Sequence, residues 1–216
     1  MKQRGAEIFG QLMEHYPELG GCGKGIIQAF NILVECYASG GKLLICGNGG
    51  SAADSEHMAG ELMKGFLLKR PVPEEDAARL RSLYPEEGGR LAENLQGALP
   101  AISLVGQTAF STAFTNDVCA DMVFAQQVYG YGRPGDVLAA FTTSGNSANV
   151  LHAVRTARFR GMRVIAFTGV DGGRSSPLCN AVIKIPVRET YRVQEYHLPV
   201  YHALCAMLEE EFFGNE

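Results

Sequence analysis

Apolar positions in the first forty residues repeat at helical spacing. Ile8, Phe9, Leu12, Met13 and Tyr16 form one stripe, and Ile26, Phe30, Leu33 and Tyr37 form another after Gly20-Gly21, which predicts an amphipathic helical hairpin over residues 1–40. Such stripes must be buried on their own domain or on a second subunit. The period then changes. Lys42 to Cys46 is a short apolar run ending in Gly47-Asn48-Gly49-Gly50, and a helical pattern resumes from Ser51 to Phe66. The same order recurs, with a buried-strand pattern at Asp136 to Phe141, a polar loop from Thr142 to Ser147, and a helical stretch from Ala148 to Arg160. Arg163 to Phe167 and Ala181 to Ile185 are two further strand patterns, separated by the loop that starts Thr168-Gly169-Val170-Asp171-Gly172-Gly173, and a long helix follows from about Tyr191. Apolar strands alternating with helices predict an α/β fold. Its form is a three-layer sandwich, a central parallel sheet flanked by helices with ligands outside the carboxyl ends of the strands. Both Gly/Ser loops fall on that edge. Residues 67–100 break the pattern, with Pro71 and Pro73, an acidic run at Glu74-Glu75-Asp76, a short helix at Asp76 to Leu83, and then Pro85-Glu86-Glu87-Gly88-Gly89. They read as an insertion or lid within a single domain spanning residues 1–216.

Composition narrows the class. The 216 residues exceed a typical domain of roughly 150 by too little to make a second one, so one domain with extra elements is expected. With 46% hydrophobic and 19% charged residues, a disordered chain is excluded. The net charge of −4 leaves no basic footprint for nucleic acid, and no apolar run approaches the roughly 20 residues that cross a bilayer. Residues 1–7 lack the apolar core of a signal peptide, so a cytoplasmic location is expected. The six cysteines contain no C-x-x-C pair, which excludes a zinc ribbon and points to reduced thiols.

Gly47-Asn48-Gly49-Gly50-Ser51-Ala52 formally fits the dinucleotide pattern G-x-G-x-x-A, but no acidic residue closes a second strand about 20 positions on. No Gly-Lys-Ser/Thr follows either, so a Walker loop is absent. Two loops rich in Gly, Ser, Thr and Asn at helix N-termini remain. Their backbone N–H groups, with the hydroxyls of Ser144 and Ser147, can hold one phosphate without lysine or magnesium, which suits a sugar monophosphate. Ser51 and Ser147 are also expected to cap their helices. His57 and Glu61, four residues apart, project from one helix face and can share a divalent metal or act as a base beside an electrophile. Gln194 and His202 are eight residues apart, an offset of about 80° that lets both face one cavity, while His197 lies on the other flank and reads as structural or interfacial. Pro199 between them is expected to kink the helix.

The segments Cys46 to Ala52, His57-Met58-Ala59-Gly60-Glu61-Leu62, Phe114-Thr115-Asn116-Asp117, Thr143 to Asn149, Thr168-Gly169 with Asp171-Gly172-Gly173, and Val193-Gln194-Glu195 with His202 together resemble the sugar isomerase (SIS) domain family. Within it they resemble the phosphoheptose isomerases, which act on sedoheptulose 7-phosphate. The resemblance implies one zinc ion per subunit at His57, Glu61, Gln194 and His202. It further implies substrate contacts from Asn48, Gly49, Gly50, Ser51, Glu61, Asn116, Asp117, Thr142, Thr143, Ser144, Ser147 and Gln194, and assembly as a homotetramer. The implied reaction is an aldose–ketose isomerisation through an enediol, with Glu61 as base and His202 as acid and ring-opening group. Two alternatives stay open: an isomerase of another sugar phosphate, and a noncatalytic sugar-phosphate-binding protein of this family that regulates a partner such as a replication initiator. The chain departs from the family pattern at Gly65, where an arginine is common and Lys64 stands beside it, and in the length of residues 67–100.

Overall fold

The computed structural model describes residues 1–214. In chain order it runs α1 (Gln3–His15), α2 (Gly23–Ala38), β1 (Leu43–Cys46), α3 (Gly50–Met63), α4 (Glu74–Leu83), α5 (Gly88–Asn94), β2 (Ala101–Ser103), α6 (Thr108–Phe114), α7 (Val123–Tyr131), β3 (Val137–Phe141), α8 (Ala148–Phe159), β4 (Arg163–Thr168), β5 (Ala181–Lys184) and α9 (Thr190–Phe213). The strands form one parallel sheet in the order β2-β1-β3-β4-β5. Leu44 sits opposite Ile102 on one side and Leu138 on the other, and Phe167 sits between Phe141 and Ile183.

The expected three layers are present. Every residue of β3 is buried, because the strand is central and helices cover both its faces. Val137, Ala139 and Phe141 join a core built with α2, α3 and α9, whereas Leu138 and Ala140 join a second core built with α7 and α8. Strand side chains alternate between faces, so one run of apolar residues feeds both cores.

The N-terminal helices differ from expectation. They do not close on each other as a hairpin: α1 packs on α9, and α2 packs on β5 and α9, with a 3-10 turn at Pro17–Cys22 between them. Ile26, Phe30, Leu33 and Tyr37 are buried within the chain itself, so the α2 stripe needs no second subunit. Residues 67–100 are an ordered excursion in which α4 and α5 pack together, with a bridge between Pro71 and Gln96 and a bond from the Gly97 amide to the Arg70 carbonyl (2.7 Å) at its base. β2 was not anticipated, because a three-residue edge strand leaves no alternating run to read. The terminal helix runs on through Pro199 to Phe213.

Candidate active site

The strand order places a crevice at the carboxyl ends of β1 and β3, where the chain turns to opposite sides of the sheet. The loop after β1 leads into α3 and the loop after β3 leads into α8. Asn48 and Asn149 tie the two together, each amide nitrogen donating to the other's oxygen at 2.9 Å. The second loop is pinned from below. The Thr142 amide donates to the Phe167 carbonyl (2.9 Å), and the amides of Gly169 and Ser175 donate to the carbonyls of Thr143 (2.8 Å) and Gly145 (3.0 Å). Gly145 has φ +67° and faces the Gly172 carbonyl so closely that a Cβ has no room there.

The hydroxyls of this loop do not cap. Ser147 stands at the N-cap of α8 without a side-chain capping bond, and α3 begins at Gly50 after Gly49 at its N-cap, so Ser51 lies inside the helix. The expected capping by Ser51 and Ser147 is therefore corrected: Gly49 with its positive φ (+58°) takes the N-cap and the helix starts at Gly50, one residue before Ser51, while Ser147 makes no capping bond. Thr142 Oγ1 is buried with no hydrogen-bond partner. A cavity of about 200 Å³ borders Thr143, Ser144, Asn146 and Gly169. The Ser144 hydroxyl accepts from the Asn146 amide at 3.2 Å, and with the orphaned Thr142 hydroxyl this loop, at a helix start, suits an anion.

The second half of the site comes from α3 and α9. His57 Nε2 lies 3.4 Å from Glu61 Oε1 and 3.4 Å from His202 Nε2, which brings together three of the four residues singled out in sequence. Glu61 Oε2 accepts from the Lys64 ammonium at 2.9 Å. Tyr201 Oη is 2.9 Å from His57 Nδ1. Burial holds His202 below the ordinary histidine value, helped by His57 and opposed by Glu61. Burial likewise pushes the Asp54 carboxyl up to about 6, against His57 and the Tyr201 hydroxyl, and Asp54 Oδ2 has no hydrogen-bond partner. Gln194 is placed against the first loop, its amide so near Gly50 that a Cβ there would lie 2.7 Å from Oε1.

The family model described as the SIS domain matches residues 22–97 and 77–169. The chain is 39% identical over 192 residues to a phosphoheptose isomerase of Rhodospirillum rubrum, covering 89% of this chain and 88% of that one. The chain belongs to the SIS domain family, and within it to the phosphoheptose isomerases. Two solved structures agree: phosphoheptose isomerase GmhA from Neisseria gonorrhoeae (33% identity, TM-score 0.73, 96% of this chain and 98% of that one) and a phosphoheptose isomerase from Francisella tularensis (30%, 0.74, 95% and 96%).

In this SIS domain Asn116 and Asp117 stand apart from the histidine cluster. They are exposed in a single π-type turn at Thr115–Cys119, and Asn116 Nδ2 donates to Asp117 Oδ1. His197 is not interfacial: it is buried between Phe141 and Phe167, both ring nitrogens lack partners, and burial lowers it to about 4, which keeps it neutral and out of reach of a substrate. Gly65 is held by the excursion. Its amide donates to Gln96 Oε1 (2.6 Å), and a Cβ would come within 2.6 Å of the Leu68 carbonyl, so an arginine does not fit and Lys64 brings the cation to Glu61 instead.

Sequence reasoning missed Tyr201, Asp54 and Asn149 as site residues. Tyr201 is hidden in the apolar stripe of α9, and a lone Asp54 one turn ahead of His57 carries no signal in the sequence. The spacing of the donor atoms suits zinc at its edges. Zinc arms of about 2.0–2.1 Å in a tetrahedron set neighbouring ligand atoms roughly 3.3 Å apart, close to the 3.4 Å from His57 Nε2 to each of its neighbours. No three His, Cys, Asp or Glu side chains among the described residues are gathered tightly enough to enclose an ion, so these residues supply matched edges and not a finished cage.

Proposed function

We propose that the protein interconverts sedoheptulose 7-phosphate and D-glycero-D-manno-heptose 7-phosphate. The observation that carries this reading is the meeting of Glu61, His57 and His202 at 3.4 Å, beside a loop of hydroxyls and helix-start amides, in a chain of the phosphoheptose isomerase family. Isomerisation moves the carbonyl between C2 and C1. A base takes the C1 proton of the ketose, the electrons form a 1,2-enediol, and the proton returns at C2. Glu61 is the base. Its carboxylate is largely buried (13% exposed), and the lysine on its far oxygen leaves Oε1 toward the histidines. His202 passes a proton between O2 and O1, a role suited to an imidazole held neutral by burial.

Zinc fits as a resident ion held by His57, Glu61 and His202, with Gln194 reaching in from beside Gly50. When bound it would polarise the sugar oxygens as a Lewis acid. The phosphate is assigned to Thr142, Thr143, Ser144 and Ser147, with Asn48, Gly49, Gly50 and Ser51 lining the sugar side. Ser144→Ala is expected to raise KM several-fold with little change in kcat, because that contact is made equally in ground and transition states. Steady-state kinetics check it, and an unchanged KM removes the phosphate from this loop.

Assembly as a homotetramer belongs to the same reading. What supports it is the segment around Asn116 and Asp117: α6 buries no residue, and Val118 is 67% exposed. A second copy would cover that surface and carry those two polar groups toward a neighbouring site. Sedimentation at micromolar concentration is expected to show the tetramer; a monomer would refute it. The function itself is tested by incubating the protein with a panel of ketose phosphates, with and without zinc, and following aldose formation by NMR. Turnover of a different ketose phosphate in preference would replace the substrate, and turnover of none would leave a binding protein.

A further inference from the structure

Among the described residues, Tyr201 is the aromatic side chain that contacts both histidines of the cluster. Its ring meets His57 edge-on at 5.5 Å and His202 at 4.9 Å, and it is 1% exposed. Its hydroxyl bonds His57 Nδ1 at 2.9 Å, on the side of the imidazole away from Glu61 and His202. The Asp54 carboxyl is raised by burial and drawn back by His57 and the same Tyr201 hydroxyl, and its Oδ2 is buried and forms no hydrogen bond.

We propose that Tyr201 is a positioning residue that, with Asp54, holds the His57 proton on Nδ1 and so leaves the Nε2 lone pair directed at the site. A phenol has one proton and two lone pairs, and a carboxylate only accepts. In the proposed relay the hydroxyl turns its proton toward the unpartnered Asp54 carboxyl and accepts from His57 Nδ1–H. A neutral imidazole has one N–H, so Nε2 is left bare, facing Glu61 Oε1 and His202 Nε2. With no such partner an imidazole favours the proton on Nε2, which would aim a donor at the place where the site needs an acceptor. The relay selects the form able to ligate a metal or accept the His202 N–H. This inference rests on the isomerase reading of the same cluster.

Tyr201→Phe removes the hydroxyl and keeps the ring that packs on Phe141 and both histidines. Asp54→Asn is the second variant, since an amide nitrogen can donate to the phenol and release its proton toward His57. Long-range proton–nitrogen correlation NMR of the labelled full-length protein at pH 7.5, without added metal, reads the tautomer directly, with the His57 signal assigned through His57→Gln. In the native protein the proton is expected on Nδ1; in Tyr201→Phe it moves to Nε2. Zinc affinity by chelator competition is expected to fall roughly 10–100-fold, and kcat to fall by a similar factor with KM nearly unchanged. A native His57 protonated on Nε2, or a Tyr201→Phe variant with the native tautomer and native zinc affinity, overturns the proposal. Failure of the zinc reading shows separately, as a native protein that binds no zinc and turns over equally in chelator. The tautomer measurement still decides the role of Tyr201 in that case.

Discussion

Replacing Glu61 by glutamine is expected to lower turnover by roughly 10²–10⁴-fold while substrate still binds, the loss typical of removing a general base. Glutamine has the same shape, and its amide oxygen can still face His57. It cannot take a carbon-bound proton. The Lys64 ammonium, 2.9 Å from Glu61 Oε2, makes the comparison sharper. It occupies Oε2 and so leaves Oε1 as the oxygen that faces the reacting carbon and the histidines. Solvent deuterium exchange into the ketose is the deciding measurement, because it reports formation of the enediol without requiring completed turnover. Near-native exchange by Glu61→Gln would transfer the base role elsewhere. His197 is a poor substitute, buried without contact to the crevice, and Asp117 is exposed on a separate turn. A zinc measurement on the same variant separates loss of the base from loss of a ligand.

The sheet was legible because each strand of its centre is a run of apolar residues followed by a polar loop, and the buried parallel strand has few other spellings. Its edge was not. β2 pairs only with β1 and has three residues, too few to show a period. The four-residue spacing placed the histidine and glutamate of α3 on one face, and the resemblance to the phosphoheptose isomerases joined them to His202, which they meet because α9 lies across α3. The relay behind them was illegible for a physical reason: Tyr201 and Asp54 act through atoms that face inward, and a tyrosine in a stripe with Val200 and Leu204 reads as packing. The N-terminal stripes were correctly read as apolar faces, yet their partners could not be. Whether α2 covers its own sheet or another subunit depends on how far the sheet extends toward β5, a long-range property.

The largest effect on stability is expected at Arg70 and Glu209, neither of which stands out in the sequence. Arg70 is 1% exposed and Glu209 is fully buried, and they meet at 2.7 Å. Isolated buried charges are costly, so the surrounding bonds matter. Arg70 donates to the Leu62 carbonyl at 2.8 Å and the Glu61 carbonyl at 3.3 Å, satisfying acceptors that the end of α3 leaves open. Glu209 accepts from the amides of Phe66, Leu67 and Leu68 at 2.7–2.9 Å, which fixes the chain as it leaves α3 for the 67–100 excursion. The pair thus clamps α9 to the end of the helix that carries Glu61. Arg70→Met would strand a buried carboxylate and is expected to cost about 3–5 kcal/mol, which at roughly 2–4 °C per kcal/mol for a chain of this size lowers Tm by about 10 °C. Glu209→Leu should cost more, because it strands the guanidinium and three backbone amides together. Urea and thermal unfolding of both variants check the order as well as the size. An Arg70→Met protein within about 1 kcal/mol of the native one would mean that water reaches this pair and that the clamp on α3 is not made by its charges.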